Sequence, residues 1–222
     1  FSEFAVEIDG WPPFSKLKFL KRVLLTSVSQ IAVSKLVFSF ITFKFLRRNL
    51  RKYGENALKA LATENNPVCR QKLPDWYATK ILNIQAQMVK KQIAAVAANT
   101  DLRLKISQFY KENINFNEDF YFLEAEKSGS EVYMQFPVVV PDRFELGKYF
   151  VNNDCDVAYQ HLKNLAQVEC FREFSSNCQN AKVLSHSVLL LPTYPGFSIK
   201  SAKKITEVFN RYIDEYSQRN TN

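Results

Sequence analysis

The sequence predicts an α+β fold in which long helices precede a small antiparallel sheet that is covered by helices. Apolar residues recur at helical spacing up to about residue 112, and runs rich in β-forming residues begin only after it. Hydrophobic residues make up 46% of the 222 residues and charged residues 23%, which are values of a globular protein and exclude a disordered chain.

The positive charge of the chain is confined to its first third. Residues 1–72 contain 13 Lys and Arg against 5 Asp and Glu, whereas residues 73–222 contain 17 of each kind. The whole net charge of +8 therefore falls in residues 1–72. This asymmetry predicts a basic, mostly helical region 1–72 and a neutral region 73–222, with different roles and an anionic surface near the first.

The basic region is predicted to form a helix from Phe14 to Tyr53. Its longest stretch without a charge, Val23–Ser34, has twelve residues, whereas a membrane-spanning helix needs about 20. The sequence therefore predicts no transmembrane helix here. The apolar stripe that indicates the helix consists of Leu17, Leu20, Leu24, Val28, Ile31, Phe38, Ile41 and Phe45.

Lysines and arginines flank this stripe, and the pattern leaves two interpretations open. The basic side chains form either a solvated face beside a packed stripe or a rim through which residues 14–53 contact an anionic membrane surface. We predict no binding to nucleic acid, because the stripe is too apolar to face phosphates and no known nucleic-acid-binding module frames it.

A second long helix is predicted from about Asp75 to Glu112. Its apolar residues alternate at steps of four and three, which is the pattern of a packing seam. Such a seam favours packing against a large domain or a dimer partner. The seam consists of Leu82, Ala86, Val89, Ile93 and Val96.

The β-rich runs Phe120–Glu126 and Val132–Val140 are separated by Lys127–Ser130, and this arrangement predicts a β-hairpin. The segment Asp156–Gln160 is predicted to add a third strand. A small sheet of this kind needs helices to cover its apolar face.

Two further helices are predicted around the sheet. The first begins at Pro141-Asp142 and ends near Phe150. The second covers Ile199–Tyr216, with Ser198 as its N-cap after a turn at Pro195-Gly196.

The sequence contains no catalytic motif that stands by itself. It has no glycine-rich phosphate-binding pattern, no His-Glu-x-x-His and no Gly-x-Ser-x-Gly. Cys170 with His161 or His186 could serve as a nucleophile and its base, but a lone Cys and His without a family signature are more often ordinary packing residues. A metal site is not expected, since Cys69, Cys155, Cys170 and Cys178 include no Cys-x-x-Cys pair.

Three segments in chain order nevertheless share patterns with one known family. In Ile81–Tyr110 the matching residues are Asn83, Gln85 and Ala86, followed by Arg103 and Tyr110. The other two segments are Val138–Leu146 and Leu190–Ser198. Together they resemble the C-terminal part of DegT/StrS-type sugar aminotransferases, which are fold-type I enzymes that use pyridoxal phosphate (PLP).

The resemblance implies that residues 73–222 are the small C-terminal domain of a PLP-dependent aminotransferase, with residues 14–72 as an insertion. Such an enzyme acts on a nucleotide-linked keto-sugar in cell-surface polysaccharide or amino-sugar biosynthesis. In the family, the lysine that binds PLP and the groups around its ring lie in a large preceding domain that this chain lacks. The chain begins with Phe1, as expected of a piece of a longer protein. We therefore expect no catalytic and no cofactor-binding residue here, and no activity of this chain alone.

The resemblance also places residues near the substrate. The family's sugar-facing loop follows the short helix, which makes Lys80, Tyr159 and His161 the candidates for substrate-facing residues. The family's asparagine that reaches a neighbouring subunit's PLP phosphate corresponds to Ala78, which cannot donate to phosphate.

The expected partners are the missing large domain and a second subunit of a homodimer, and the expected location is the cytoplasm, with or without peripheral contact to the membrane. The alternative is a non-enzymatic interaction or membrane-surface module on an aminotransferase-like scaffold.

Overall fold

The computed structural model describes residues 37–53, 83–123, 131–157 and 164–220, together with the single residues Leu17, Leu20, Lys21, Leu24 and Lys72. This part of the chain contains six α-helices and three β-strands. In chain order they are α1 (Phe43–Tyr53), α2 (Asn83–Ala94), α3 (Val96–Asn113), β1 (Tyr121–Phe122), β2 (Gln135–Val139), α4 (Arg143–Asn152), α5 (Gln179–Ser187), β3 (Val188–Pro192) and α6 (Ile199–Asn220). A π-helical turn, Phe38–Thr42, precedes α1, and two 3-10 segments, Leu165–Gln167 and Glu169–Phe174, precede α5. The α+β class predicted from the sequence is confirmed.

The chain divides into two compact units. The first comprises residues 1–49 and 68–96, and the second comprises residues 50–67 and 97–222. The sheet, most of α3 and helices α4 to α6 belong to the second unit. The division at residue 72 that the charge pattern suggests stays a prediction.

The single helix predicted from Asp75 to Glu112 is wrong in its described part, because a turn at Ala95 separates α2 from α3. The amide of Ala95 donates to the carbonyl oxygen of Gln92, three residues back instead of four, at 3.0 Å. This i→i−3 bond tightens the backbone at the end of α2, and the regular α-helical pattern resumes only at Val96.

The predicted seam is not buried within the described chain. Ala86, Ile93 and Val96 are exposed and Val89 is half-buried, while Leu82 lies outside the described residues. The large domain or dimer partner expected to cover the seam stays a prediction.

The three strands form one antiparallel sheet in the order β1-β2-β3. Tyr121 of β1 lies opposite Val139 of β2, which confirms that the two β-rich runs pair. The strands are shorter than the runs, and the predicted turn Lys127–Ser130 lies outside the described residues.

The third strand is Val188–Pro192, so the prediction of a strand at Asp156–Gln160 is wrong for Asp156 and Val157, its two described residues. Val-Leu-Leu-Leu-Pro carries apolar side chains at successive positions, and four of the five residues are buried. A strand covered on both faces lacks the alternating pattern by which half-buried strands are recognised.

Aromatic side chains from the helices and loops complete the core. The ring of Phe209 on α6, which is fully buried, meets the rings of Phe120 and Phe150 edge to face, with centroids 6.0 and 5.7 Å away. Such edge contacts add to the free energy of burying the rings. Helix α6 thus packs against both the segment before β1 and helix α4.

Capping residues fix the starts of α4 and α6. The carboxylate of Asp142 accepts hydrogen bonds from the amides of Phe144 and Glu145 at 2.8 and 3.0 Å. The hydroxyl of Ser198 accepts one from the amide of Ser201 at 3.1 Å, which confirms the predicted N-cap. Among the described helices, none has the length and apolarity to cross a membrane.

Candidate functional site

The candidate site begins where α4 ends and the chain turns into the loop after it. The amide of Cys155 donates to the carbonyl oxygen of Phe150 at 2.9 Å, and the amide of Asp154 donates to that of Val151 at 3.2 Å. Asp154 has a φ of +57°. These two bonds and the left-handed residue form a Schellman motif, which usually has glycine at this position. The motif fixes the direction in which the loop leaves the helix.

Cys155 and Lys204 anchor the start of this loop. Cys155 is buried in the core cluster that also contains Phe150, which is the hydrophobic contact that accompanies a Schellman motif. The ammonium of Lys204, on α6, donates to the carbonyl oxygen of Asp154 at 3.0 Å. Residues from two helices therefore hold the backbone of the loop in place.

Three groups at this anchor have raised pKa values: the hydroxyls of Tyr110 and Tyr194 and the thiol of Cys155. Burial raises the pKa of Tyr110, and the nearby Cys155 and Tyr194 raise it further. Burial also raises the pKa of the Cys155 thiol. Desolvation, followed by the charge of Asp156, raises the pKa of Tyr194. At neutral pH these groups stay protonated, so Cys155 is not a nucleophile, while the exposed Tyr194 presents a hydroxyl that donates hydrogen bonds.

The carboxyl group of Asp156 belongs to the residue that follows Cys155 at the start of the loop. Desolvation raises its pKa, although the residue as a whole is exposed, and a hydrogen bond involving the backbone of Val157 acts in the opposite direction. A partly desolvated carboxylate, close enough to Tyr194 for its charge to raise the pKa of that hydroxyl, is suited to accepting hydrogen bonds from the hydroxyl groups of a polar ligand.

The substrate-facing residues predicted from the sequence, Lys80, Tyr159 and His161, lie outside the described residues. The described chain ends at Val157 and resumes at Asn164, so the anchored loop leads directly into the segment that contains Tyr159 and His161. Neither the Schellman motif nor the anchor was foreseen, because Asn-Asp-Cys contains no glycine to signal a helix end.

The hypothetical nucleophile–base pair gains no support from His186. Its Nδ1 atom lies 2.8 Å from the carbonyl oxygen of Lys182 and 3.1 Å from the hydroxyl of Ser185, so its own helix holds the ring. Cys170 is half-buried in a 3-10 segment, and His161 lies outside the described residues. Throughout the described ranges, no three side chains of His, Cys, Asp or Glu are grouped as a metal site would require.

Apart from the anchored loop, a pocket of about 470 Å³ lies between α3 and the segment before β2. The hydroxyls of Ser107 and Tyr133 are buried there without a hydrogen-bond partner in the structure. The ammonium of Lys111 lies over the ring of Tyr133, 5.1 Å from its centroid. Sequence reasoning missed this pocket; a serine on the otherwise apolar buried face of α3 was its one signal. Its lining residues are Leu104, Lys105, Ser107, Gln108, Lys111, Glu131 and Tyr133.

Comparison with known proteins identifies the family. The model of the DegT/DnrJ/EryC1/StrS aminotransferase family matches residues 51–210, which is more than half of the chain. The chain belongs to this family. The matched range contains β1 to β3, helices α2 to α5, the anchored loop and about half of α6. The resemblance noted in the sequence is confirmed.

Solved structures agree on the fold of this family member. DesV from S. venezuelae, solved in complex with a ketimine intermediate, has 17% sequence identity and a TM-score of 0.55, covering 74% of this chain and 42% of its own. An aminotransferase of the same family from Brucella abortus has 15% identity and a TM-score of 0.55, covering 72% and 43%. The chain therefore spans less than half the length of these neighbours. No curated protein sequence matches the chain significantly.

The described residues do not fit PLP, the cofactor that the resemblance implies for the parent enzyme. A lysine that binds this cofactor must lose its proton, which burial beside apolar or cationic groups favours. Each described lysine is exposed except Lys111, which is half-buried. The ammonium of Lys111 lies over the rings of Phe122 and Tyr133, 5.2 and 5.1 Å from their centroids, in a cation–π contact.

Proposed function

We propose that this chain is the C-terminal portion of a PLP-dependent aminotransferase that acts on a nucleotide-linked keto-sugar in cell-surface polysaccharide or amino-sugar biosynthesis. Residues 73–222 serve as its small domain. In this role the domain shapes the sugar pocket and excludes water, while another part of the protein supplies the cofactor lysine.

The observation that supports the proposal is the anchored loop after α4. Cys155 is packed into the core and Lys204 holds the carbonyl oxygen of Asp154, so the backbone that enters residues 158–163 starts from a fixed position. Groups that orient a substrate need such support, because a displacement of about 1 Å lowers the rate strongly. The chain's membership in a family of aminotransferases supports an aminotransferase role for the complete protein. The sugar as ligand of this loop is part of the proposal.

In this proposal Lys80, Tyr159 and His161 face the sugar nucleotide. The carboxyl group of Asp156 lies at the start of the same loop, and the hydroxyl of Tyr194, in the turn after β3, is close enough for the charge of Asp156 to raise its pKa. In the proposal both groups bind sugar hydroxyls, directly or through water. The complete enzyme is a cytoplasmic homodimer, whose large domain completes the site.

The test measures the two half-reactions of transamination separately in the complete enzyme, one with the keto-sugar and one with the amino donor. Tyr159→Phe and His161→Asn are each expected to raise KM for the keto-sugar about tenfold, the effect of one lost hydrogen bond, and to leave the half-reaction with the amino donor unchanged. His186→Asn is the matched control, since its ring is held within α5.

Two results would overturn this proposal. One is an unchanged KM for the sugar in both loop variants. The other is an equal loss in both half-reactions, which would place these residues at the cofactor instead of the sugar.

A further inference from the structure

The helical segment before and within α1 has large apolar side chains on its exposed side. Phe40, Ile41 and Phe45 are 66%, 65% and 67% exposed, although Phe43 and Leu50 of the same segment are buried. Lys44, next to Phe45, and Arg48, three residues after Phe45, are exposed as well. We call the five exposed residues, Phe40, Ile41, Lys44, Phe45 and Arg48, the cationic–apolar face.

A helix that packs on a domain normally exposes polar residues on its other side. Here both sides carry large apolar groups, so the cationic–apolar face needs a partner of its own. The same compact unit also exposes Leu17, Leu20 and Leu24, which are helical and spaced at three and four residues. Several exposed apolar side chains of this unit therefore need a partner, and not one residue alone.

The charge around this face is entirely positive. Residues 10–54 contain ten Lys and Arg and no Asp or Glu. Within the described residues, neither Lys44 nor Arg48 forms an ion pair. Their charges remain available to an anionic partner. The ten residues are Lys16, Lys18, Lys21, Arg22, Lys35, Lys44, Arg47, Arg48, Arg51 and Lys52.

The aminotransferase family does not account for the face. The family match begins at residue 51, and every residue of the face precedes it. A surface outside the shared region is not required for the fold or the reaction that the family has in common. It therefore indicates a property particular to this protein.

The mixture of side chains distinguishes between anionic partners. Nucleic acid presents phosphates to Lys and Arg, but it offers no apolar environment to an isoleucine. The headgroup layer of a bilayer accepts both kinds of residue, since Phe and Ile enter the acyl boundary while Lys and Arg extend to the phosphates. Anionic lipids add a Coulombic attraction to each of the cations near the surface.

We propose that the cationic–apolar face docks on an anionic lipid surface, with α1 lying in the plane of the headgroups. Phe40, Ile41 and Phe45 enter the interface, and Lys44 and Arg48 contact lipid phosphates. Arg51 and Lys52, which are exposed at the end of the same helix, extend the basic rim. The enzyme is thereby held at a membrane without crossing it.

The test measures partitioning of the 222-residue chain onto vesicles of phosphatidylcholine alone and of phosphatidylcholine mixed with phosphatidylglycerol. We expect binding to the mixed vesicles that weakens as salt rises, because salt screens the cations. The double variant Lys44→Glu/Arg48→Glu is expected to lower the partition constant about tenfold or more. Phe40→Ser/Phe45→Ser is expected to lower it by a similar factor, since burying an aromatic ring contributes comparably.

Matched controls separate these effects from general changes in charge or apolarity. Lys200→Glu/Lys203→Glu changes two exposed lysines of α6, and Phe174→Ser changes a phenylalanine that is 75% exposed in the second unit. Both controls are expected to bind the mixed vesicles as the unchanged chain does, and circular dichroism checks that all variants stay folded.

Several outcomes would overturn the proposal. These are equal binding to both kinds of vesicle, absence of binding at low salt, or control variants that lose as much affinity as the variants of the face. Binding of duplex DNA or RNA that depends on Lys44 and Arg48 but not on Phe40 and Phe45 would assign the face to nucleic acid. A change in oligomeric state in Phe40→Ser/Phe45→Ser without vesicle binding by the unchanged chain would assign it to a second copy.

Discussion

The hydroxyl of Tyr110, on α3, donates a 3.1 Å hydrogen bond to the carbonyl oxygen of Pro192, at the end of β3 and 82 residues later in the sequence. Both residues belong to segments that carry the resemblance to aminotransferases, and the bond joins these segments in space. Tyr110 is fully buried, and burial raises its pKa, so the hydroxyl keeps the proton that it donates. The bond fixes the chain just before Tyr194, which lies at the candidate site.

We expect Tyr110→Phe to lower the free energy of unfolding by about 1 kcal/mol, the usual net contribution of one hydrogen bond. The ring is retained and still packs against Phe136, so the change reports on the hydroxyl. Urea unfolding measures it. Tyr121→Phe is the control, because Tyr121 is 42% exposed, and its variant should unfold at the same urea concentration as the unchanged chain. Equal midpoints for both variants would mean that the Tyr110 bond contributes nothing.

The stability of the fold should fall above pH 10. Burial, together with the nearby carboxylates of Asp142 and Glu145, raises the pKa of Tyr212 from 10.0 to about 12. The folded state then holds the phenolic proton more tightly than the unfolded state. This contribution to stability is complete below pH 10.0 and is lost as the pH rises towards about 12.

Tyr212→Phe tests the origin of this loss, because phenylalanine keeps the ring and does not titrate. Urea unfolding below pH 10.0 and near pH 12 should show a smaller loss of stability in this variant than in the unchanged chain. All other titratable groups are the same in both proteins, so the difference between the two curves isolates Tyr212. Identical pH profiles would contradict the assignment.

Lys204 is expected to act as a positioning residue for the sugar-facing loop. In the complete enzyme, Lys204→Met should raise KM for the keto-sugar several-fold and leave kcat with the amino donor unchanged, because it frees the carbonyl oxygen of Asp154 without touching the substrate. Lys203→Met is the matched control, since Lys203 is exposed one position earlier on α6. A uniform loss of stability and activity would instead indicate a purely structural contact.

Much of the fold could be predicted from the sequence because its signals are local. Asp142 and Ser198 cap α4 and α6 as their residue types suggest, and the antiparallel pairing of β1 with β2 follows from two neighbouring β-rich runs. Caps and hairpins depend on residues within a few positions of one another, so a single sequence contains the information.

The features that could not be predicted depend on distant contacts. Strand β3 has no alternation to reveal it, because four of its five residues, all apolar, are buried. The end of α4 uses Asp154 where glycine is usual, and the bond from Lys204 that supports it comes from fifty residues away. The pocket beside Ser107 likewise forms between segments that are separate in sequence. Tertiary contacts of this kind leave no periodic pattern.

The central claim is that this chain is the domain that shapes the substrate pocket, and that the cofactor lysine lies elsewhere. The most direct test incubates the isolated 222 residues with PLP, reduces with borohydride and maps the labelled peptides. We predict scattered, substoichiometric labelling of exposed lysines and no transamination, because each described lysine is exposed except the half-buried Lys111, whose ammonium lies over two aromatic rings. One lysine labelled fully, at one PLP per chain, would contradict the claim and place a complete cofactor site within these residues.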